Sequence, residues 1–217
     1  MKKYNTVIFD LDGTLLNTLK DLTDATNDAL EKYGQLQHSM EDVRKFVGNG
    51  IRKLIERAVE GGDKNPLFDD IFAAFKEYYG VHCNDTTCLY PGVEELIDTL
   101  KEQGYQLAIV SNKADFALQQ IYFKGKIAVA IGEKEGIRKK PAPDTVMQAL
   151  KELGSSSENA IYVGDSDVDI ATAVNSGMPC ISVTWGFRDV PFLKEHGATH
   201  LAANAEELCA ILDEFNA

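Results

Sequence analysis

Residues 6–14 read TVIFDLDGT, and this stretch decides the fold of the chain. The apolar run 6–9 suits a buried strand, and two acids, Asp10 and Asp12, follow it at once. Side chains two positions apart on an extended chain point the same way, so both carboxylates should meet at the end of this strand. They repel each other there, and a divalent metal ion bound by oxygen atoms would hold them. A carboxylate pair with a metal suits phosphoryl transfer, in which one acid is the nucleophile and the other carries protons.

The composition is that of a chain with one hydrophobic core and room for an inserted module: 217 residues, 44% hydrophobic and 26% charged. The formal net charge of −12 disfavours binding to nucleic acid or to an anionic membrane. No apolar run approaches the roughly 20 residues that a membrane span needs, and no signal-peptide pattern precedes the first strand. A cytoplasmic protein is expected. The four cysteines match no C-x-x-C pattern and are expected to be reduced.

The pattern of apolar residues predicts two regions. Residues 15–85 show helical spacing and no strand pattern, so we expect a helical domain there. Strands and helices alternate from residue 86 onward, which is typical of a parallel sheet covered by helices on both faces. The expected fold is therefore α/β, with a Rossmann-like core domain formed by residues 1–14 and 86–217. The predicted strands after the first are 106–110, 127–131, 160–163, 180–183 and 199–201.

Polar residues gather where these predicted strands end. Ligands of an open parallel sheet bind beyond the carboxyl ends of its strands. Residues 111–113 (Ser-Asn-Lys) follow the second strand, residues 164–169 (GDSDVD) follow the fourth, and Lys140 lies between the third and the fourth. Each segment alone has a structural explanation, such as a turn, a helix cap or a solvated lysine. Their occurrence together on one edge of the sheet indicates an active site.

These motifs resemble those of the haloacid dehalogenase-like hydrolase superfamily. Its phosphatase branch has D-x-D-G-T, a Ser or Thr after the second strand, a Lys commonly followed by Pro, and G-D-x-x-x-D. The chain has residues 10–14, Ser111, Lys140-Pro141 and residues 164–169 at these places, in the same order. The helical region 15–85 is similar to the small helical cap of the family, which closes over the site. The second acid, Asp12, favours a phosphatase or phosphomutase over a dehalogenase.

The resemblance implies a role for each motif. Asp10 would attack phosphorus and form an aspartyl-phosphate, and Asp12 would protonate the leaving group and then activate water. Lys140 would orient Asp10 and add positive charge. Mg²⁺ is the implied cofactor, because every candidate ligand is a hard oxygen. The implied metal ligands are Asp10, Asp12 (through its carbonyl) and Asp165, with Asp169 either binding the metal directly or supporting its ligands. The implied phosphate-binding residues are Thr14, Ser111, Asn112 and Lys140.

Residues 47–50 (VGNG) and 183–187 (VTWGF) resemble segments of phosphoglycolate phosphatases. The expected reaction is therefore hydrolysis of a small phosphomonoester, with 2-phosphoglycolate as the best candidate. Asn49 and Arg52 are candidates for substrate contact, although a helix start and a solvated arginine explain them equally well.

Two alternatives stay open, namely a sugar phosphomutase similar to β-phosphoglucomutase, and a phosphoacceptor or binding module without turnover. The expected partner is a small molecule, not nucleic acid or a membrane, and the chain is expected to be a monomer or weak homodimer. A helix is predicted at 114–122, before the third strand. The segment 121–132 that connects them is shorter than is usual in the family, so the register of the third strand stays open.

Overall fold

A computed structural model describes residues 2–114 and 126–217 of the chain, so most of the predicted helix 114–122 lies outside the described residues. The chain divides into two compact units. One contains Met1–Leu16 and Leu89–Ala217, and the other is the inserted segment Asn17–Cys88. That the inserted unit acts as a cap stays a prediction.

A six-stranded sheet forms the centre of the first unit. Its strands are β1 (Thr6–Phe9), β4 (Gln106–Ala114), β5 (Val129–Glu133), β6 (Ala160–Gly164), β7 (Cys180–Val183) and β8 (His200–Ala202). They lie in the order β5-β4-β1-β6-β7-β8, and each neighbouring pair runs parallel, which confirms the predicted parallel sheet. The register of the third predicted strand, which the sequence left open, is given by the pairing of Val129 in β5 with Ala108 in β4.

Alternate residues of β1 face the two helical layers. Val7 and Phe9 pack in one apolar cluster with α5 (Val93–Glu102) and α9 (Ala205–Asn216). Ile8 packs in a second cluster, on the other face, with α6 (Asp144–Leu153) and α7 (Asp167–Asn175). Because both faces of β1 are covered, all four of its residues are buried, and its carboxyl end is fixed rigidly in the middle of the sheet.

Several short elements were not predicted from the sequence, among them two strands and one α-helix. The two-residue strands β2 (Leu16–Asn17) and β3 (Cys88–Leu89) pair in a second sheet, so the expectation of no strand within 15–85 is wrong at its first residues. Two residues are too few to show an alternating pattern. The six-residue helix α8 (Val190–Glu195) begins at Asp189, whose carboxylate accepts a hydrogen bond from the Phe192 amide at 2.9 Å.

The inserted unit consists of helices joined by short loops. Its four α-helices are α1 (Leu19–Lys32), α2 (Met40–Phe46), α3 (Ile51–Ala58) and α4 (Phe68–His82). The longest two, α1 and α4, pack against each other. Among residues 2–114 and 126–217, every helix falls short of the length and apolarity that crossing a bilayer requires.

A buried carboxylate joins the two ends of this inserted unit. Asp21, on the first turn of α1, accepts hydrogen bonds from the backbone amides of Thr86 and Thr87 at 2.9–3.1 Å. The hydroxyls of both threonines also donate to it, at 2.5 and 2.8 Å. Charge-assisted hydrogen bonds of this kind are about twice as strong as neutral ones. The start and the end of the unit are therefore tied together.

Candidate active site

The carboxyl ends of β4, β1 and β6 bring together residues that are far apart in the sequence. Phe9, the last residue of β1, pairs with Ile109 of β4 and with Val163 of β6. Asp10 continues this pairing, because its amide donates to the Val163 carbonyl at 2.8 Å. The residues that follow each strand therefore lie along one edge of the sheet.

Lys140 is the buried cation of the site. Its ammonium lies 2.7 Å from Oδ1 of Asp10 and 2.8 Å from Oδ1 of Asp169, and it donates to the Tyr162 hydroxyl at 3.0 Å. Only 3% of the Lys140 surface is exposed. The predicted proximity of Asp10 and Lys140 is thus present in the structure, and Tyr162 joins them without having been predicted.

The side chain of Asn112 holds the backbone of Lys140. The Asn112 amide donates to the Lys140 carbonyl at 3.1 Å, and its Oδ1 accepts from the Lys140 amide at 2.9 Å. This pair of hydrogen bonds fixes the lysine on a loop that contains no regular structure. A phosphate contact for Asn112 stays a prediction, and the structure adds a positioning contact that the sequence did not indicate.

Asp165 is enclosed by donors and by two glycines. Its Oδ2 accepts from the Phe187 amide at 2.7 Å, and its Oδ1 accepts from the Thr14 hydroxyl at 3.3 Å. A Cβ atom placed on Gly13 would lie 2.4 Å from Oδ2 of Asp165, and one placed on Gly186 would lie 2.3 Å from its Cβ. Real carbon atoms do not approach so closely, so the backbone can enclose this carboxylate only where no side chain is present.

Asp169 uses both of its oxygens within the protein. Its Oδ2 accepts from the backbone amides of Asp165 and Ser166 and from the Ser166 hydroxyl, and the bond from the Ser166 amide is part of the capping box that begins helix α7. Its Oδ1 accepts from Lys140 and from the Tyr162 hydroxyl. We infer that Asp169 supports the site by holding its neighbours, which is one of the two roles that the resemblance leaves open for it.

Burial and charge change the acidity of these groups. Burial, and then the Asp169 carboxylate, raise the pKa of Asp10 to about 7, although Lys140 opposes the shift. Burial followed by the charges of Asp169 and Asp10 raises the pKa of Asp165 well above its usual range. Burial alone would lower the pKa of Lys140, but the two carboxylates beside it raise that pKa far above its ordinary value. The carboxylates need more positive charge than one lysine supplies.

A magnesium ion fits this surplus of negative charge. Among the described residues, Asp10, Asp165 and Asp169 each place a carboxylate oxygen within 4.8 Å of the others, and all three residues are buried. An all-oxygen set of donors suits Mg²⁺ and does not suit a soft metal ion. The ligand chemistry therefore agrees with the implied cofactor.

Asp12 lies apart from this cluster and pairs with a different lysine. Lys113 donates to Oδ1 of Asp12 at 3.1 Å. That a metal ion holds both motif acids stays a prediction. β1 ends at Phe9 and the chain turns at Gly13, whose φ is +89°, so the alternation of an extended strand does not by itself set the direction of the Asp12 side chain.

The two hydroxyls predicted to bind phosphate are placed at the site edge, but each has a protein partner. Thr14 donates to Asp165, as described above, and Oγ of Ser111 accepts from the Lys113 amide at 3.1 Å. Both residues are buried. Their contacts with a phosphoryl group stay predictions.

The candidate substrate residues of the inserted unit are held by neighbours of their own. Arg52 forms an ion pair with Asp69 at 3.3 Å, and its guanidinium lies 4.8 Å from the centre of the Phe68 ring. Asn49 has a φ of +62°, and its Oδ1 accepts from Arg57 at 3.1 Å. Their roles in substrate contact stay predictions.

Comparison with known proteins agrees with this geometry. A family model described as haloacid dehalogenase-like hydrolase matches residues 7–183. A phosphoglycolate phosphatase from Rhodobacter capsulatus is 34% identical over 193 residues, which cover 85% of this chain and 86% of that protein. The pyrophosphatase PpaX of Bacillus cereus (strain AH820) is 28% identical over 220 residues, which cover 99% of both chains.

A solved structure is also similar to the chain. The crystal structure of a protein from Lactobacillus delbrueckii subsp. bulgaricus, assigned provisionally as a phosphoglycolate phosphatase, superposes with a TM-score of 0.93 and 38% identity. The match covers 98% of this chain and 99% of that one. Together with the family match, it confirms the predicted fold and the predicted enzyme class. The chain belongs to the haloacid dehalogenase-like hydrolase family, and its relatives include phosphoglycolate phosphatases.

Proposed function

We propose that this chain is a Mg²⁺-dependent phosphatase that hydrolyses a small phosphomonoester through an aspartyl-phosphate on Asp10. One observation carries the proposal. The carboxylate of Asp10 lies at the end of the central strand, 2.7 Å from a buried lysine and within 4.8 Å of two further buried carboxylates. A nucleophilic carboxylate that must meet a phosphate dianion needs this concentration of positive charge and metal-binding oxygen.

The reaction uses Asp10 and Asp12 in sequence. An oxygen of Asp10 forms a bond to phosphorus while the bond from phosphorus to the leaving oxygen breaks, and Asp12 gives its proton to that oxygen. Asp12 then takes a proton from a water molecule whose oxygen attacks the same phosphorus. The bond to Asp10 breaks, inorganic phosphate leaves, and both aspartates return to their starting states.

The chain's own residues prepare Asp10 for this role. Lys140 favours the ionised form of the Asp10 carboxylate and fixes its direction, since Lys140 is itself held by Asp169, Tyr162 and the side chain of Asn112. These contacts come from three different elements, so the ammonium has little freedom to move. Preorganised groups of this kind stabilise charge in the transition state without having to reorganise.

Mg²⁺ would be held by the Asp10 and Asp165 carboxylates and by the Asp12 carbonyl, with Asp169 in support. When bound, it would supply positive charge that offsets repulsion between the acidic site and a phosphate. That help is needed, because Lys113 and Lys140 balance only half of the charge that Asp10, Asp12, Asp165 and Asp169 carry when ionised.

The substrate class follows from the relatives and from the charge. Several relatives are named phosphoglycolate phosphatase, which supports 2-phosphoglycolate as the first candidate. The relative named pyrophosphatase PpaX aligns over 99% of both chains, which makes pyrophosphate the second candidate. The formal net charge of −12 supports a small-molecule partner over a nucleic acid. The cytoplasmic location and the monomeric or weakly dimeric state remain predictions.

The experiment is a phosphate-release assay on the purified chain. The substrates are 2-phosphoglycolate, pyrophosphate and p-nitrophenyl phosphate, each with Mg²⁺ or with EDTA. We expect many turnovers per enzyme with Mg²⁺, and none in EDTA or in Asp10→Asn. Asp98→Asn is the matched control. Asp98 lies on α5 and forms an exposed ion pair with Lys126, so this variant should keep full activity.

Other results would point to the alternatives. A single phosphorylation without turnover would favour the phosphoacceptor module. In a parallel assay with a sugar monophosphate, isomerisation that depends on a sugar bisphosphate, with little phosphate released, would favour the phosphomutase. Near-normal activity in Asp10→Asn would refute the nucleophile.

A further inference from the structure

Each of the two motif aspartates has a lysine of its own. Asp10 pairs with Lys140, whereas Asp12 accepts a hydrogen bond from Lys113 at 3.1 Å. The Lys113 side chain is 1% exposed and that of Asp12 is 17% exposed. Asp12 is therefore the more accessible member of this pair.

Lys113 belongs to the sheet. Strand β4 extends to Ala114 and includes Lys113, and the pairing of β4 with β5 is irregular between Val110 and Ala114. The backbone amide of Lys113 donates to Oγ of Ser111 at 3.1 Å, and this bond restrains the main chain from which the lysine side chain extends. The neighbouring β1 pairs with β4 in a register that aligns Phe9 with Ile109, so the residues that follow Phe9 lie beside the last residues of β4.

We propose that Lys113 is a positioning residue that holds the Asp12 carboxyl at the leaving oxygen of the substrate. The proposal rests on the proposed function, in which Asp12 transfers its proton to that oxygen as the bond to phosphorus breaks. Asp12 follows the end of β1 on a turn, where its backbone forms a single bridge with Leu16. Its side chain accepts a hydrogen bond from Lys113 of the neighbouring strand β4, and this bond would set the direction of the carboxyl.

The partner of Lys113, and not its burial, indicates a role through Asp12. Lys140 already lies beside the nucleophile Asp10, whereas the Lys113 ammonium donates to Asp12. A lysine that acted on the phosphoryl group would affect all phosphate esters alike. A lysine that acts through the proton donor matters only where the leaving oxygen needs a proton.

The test compares two substrates that differ only in the leaving group, phenyl phosphate and p-nitrophenyl phosphate. The nitrophenol leaves readily as an anion, but phenol needs a proton. We measure kcat/KM, which reports the steps up to departure of the leaving group. Correct acid–base help is worth about 10²–10⁴-fold. Lys113→Met should lose on the order of 10–10²-fold with phenyl phosphate and less than about threefold with p-nitrophenyl phosphate.

The same split should appear in Asp12→Asn, and the double variant should be no worse than Asp12→Asn alone, because Lys113 would act only through Asp12. Lys139→Met is the matched control. It removes an exposed lysine that pairs with Glu133 at 3.5 Å, and both substrates should keep wild-type values. If Lys113→Met does not fold, Lys113→Gln keeps a polar amide in the same place and must show the same split.

Two outcomes would overturn the role of Lys113: an equal loss with both substrates, or additive losses in the double variant. Either result would still be compatible with the proposed phosphatase activity. Absence of turnover in the wild-type chain with both substrates would instead overturn the proposed function, and the role of Lys113 with it.

Discussion

The ammonium of Lys140 lies 2.7 Å from the carboxylate of Asp10, and both side chains are nearly inaccessible to water. The same ammonium is 2.8 Å from Asp169, so one cation serves two buried acids. Taking charges out of water is costly, and the arrangement persists only because the partners are close and hydrogen-bonded. The same contacts thus prepare the nucleophile and keep the fold stable.

Lys140→Met should therefore destabilise the metal-free protein by about 3–5 kcal/mol, because it leaves buried carboxylates without a counterion. Urea unfolding followed by circular dichroism measures this loss. Lys139→Met, which removes the exposed neighbouring lysine, should stay within about 0.5 kcal/mol of wild type. Equal stability of the two variants would show that the acids do not need Lys140.

Mg²⁺ should stabilise the folded chain even without substrate, since it would bind carboxylates that only the fold assembles. At a concentration of about 100 times the Kd, the gain is about 2.7 kcal/mol. Thermal unfolding during a Mg²⁺ titration measures it. Asp165→Asn should abolish most of the gain, and Asp98→Asn, an exposed acid on α5, should keep it. Identical Mg²⁺ effects in both variants would place the ion elsewhere.

Gly186→Ala should distort the site. The added Cβ would lie 2.3 Å from the Cβ of Asp165 and 2.4 Å from the Gly13 carbonyl oxygen, so Asp165 must shift. We expect a destabilisation of about 1–3 kcal/mol together with a weaker response to Mg²⁺. Both are read from the thermal titration described above.

Gly80→Ala is the contrasting control for Gly186→Ala. Nothing lies within 4 Å of its added Cβ, and Gly80 is inside helix α4. Alanine should therefore stabilise the chain by about 0.5–1 kcal/mol. Harmless substitution at Gly186 would mean that the loop around Asp165 is more adaptable than its contacts indicate.

Asp21 should make the stability of the inserted unit depend on pH in the acid range. Burial alone would raise the pKa of Asp21, but the hydrogen bonds from Thr86 and Thr87 outweigh it and lower the pKa below its usual value. A carboxyl with a lowered folded-state pKa stabilises the protein above its unfolded pKa of about 3.9. That contribution is lost as the pH falls through the folded-state value.

Asp21→Asn should accordingly cost about 1.5–3 kcal/mol at neutral pH, and the difference from wild type should shrink below about pH 4. Urea unfolding at a series of pH values measures both effects. Asp24→Asn is the control on the same helix. Its ion pair with Lys20 is exposed to solvent, so this variant should stay close to wild type at every pH. A pH-independent loss in Asp21→Asn would show that hydrogen-bond geometry matters and the charge does not.

Much of the sheet edge could be predicted from the sequence. Asp10 and Asp165 each follow an apolar run directly, and the carboxyl ends of parallel strands meet at one edge. Asp169 follows Asp165 by four residues in the first turn of a predicted helix, so the position predicted for Asp165 also placed Asp169 at the site. The local pattern was sufficient because each of these residues is placed by the strand or helix that it belongs to.

The pairs that join different strands could not be predicted. The contact between Lys113 and Asp12 depends on the register of β4 against β1, and no local pattern encodes that offset. Tyr162 was part of an apolar strand pattern, and only packing shows that its hydroxyl contacts Lys140. The close approach of Gly186 to Asp165 likewise joins residues 21 positions apart. For α8, the acid at position 189 and the proline two residues later were a usable helix-start signal.

The hydrogen bonds between Asp21 and residues Thr86 and Thr87 hold the two ends of the inserted unit close together, so the unit could be exchanged as a whole. Segments with adjacent ends can be inserted into or removed from a protein with little change in the path of the host chain. Evolution can therefore lengthen, shorten or replace residues 22–85 while the sheet that carries Asp10 keeps its geometry. Chimeras joined at these two points offer a direct way to vary one part of such a hydrolase independently of its catalytic carboxylates.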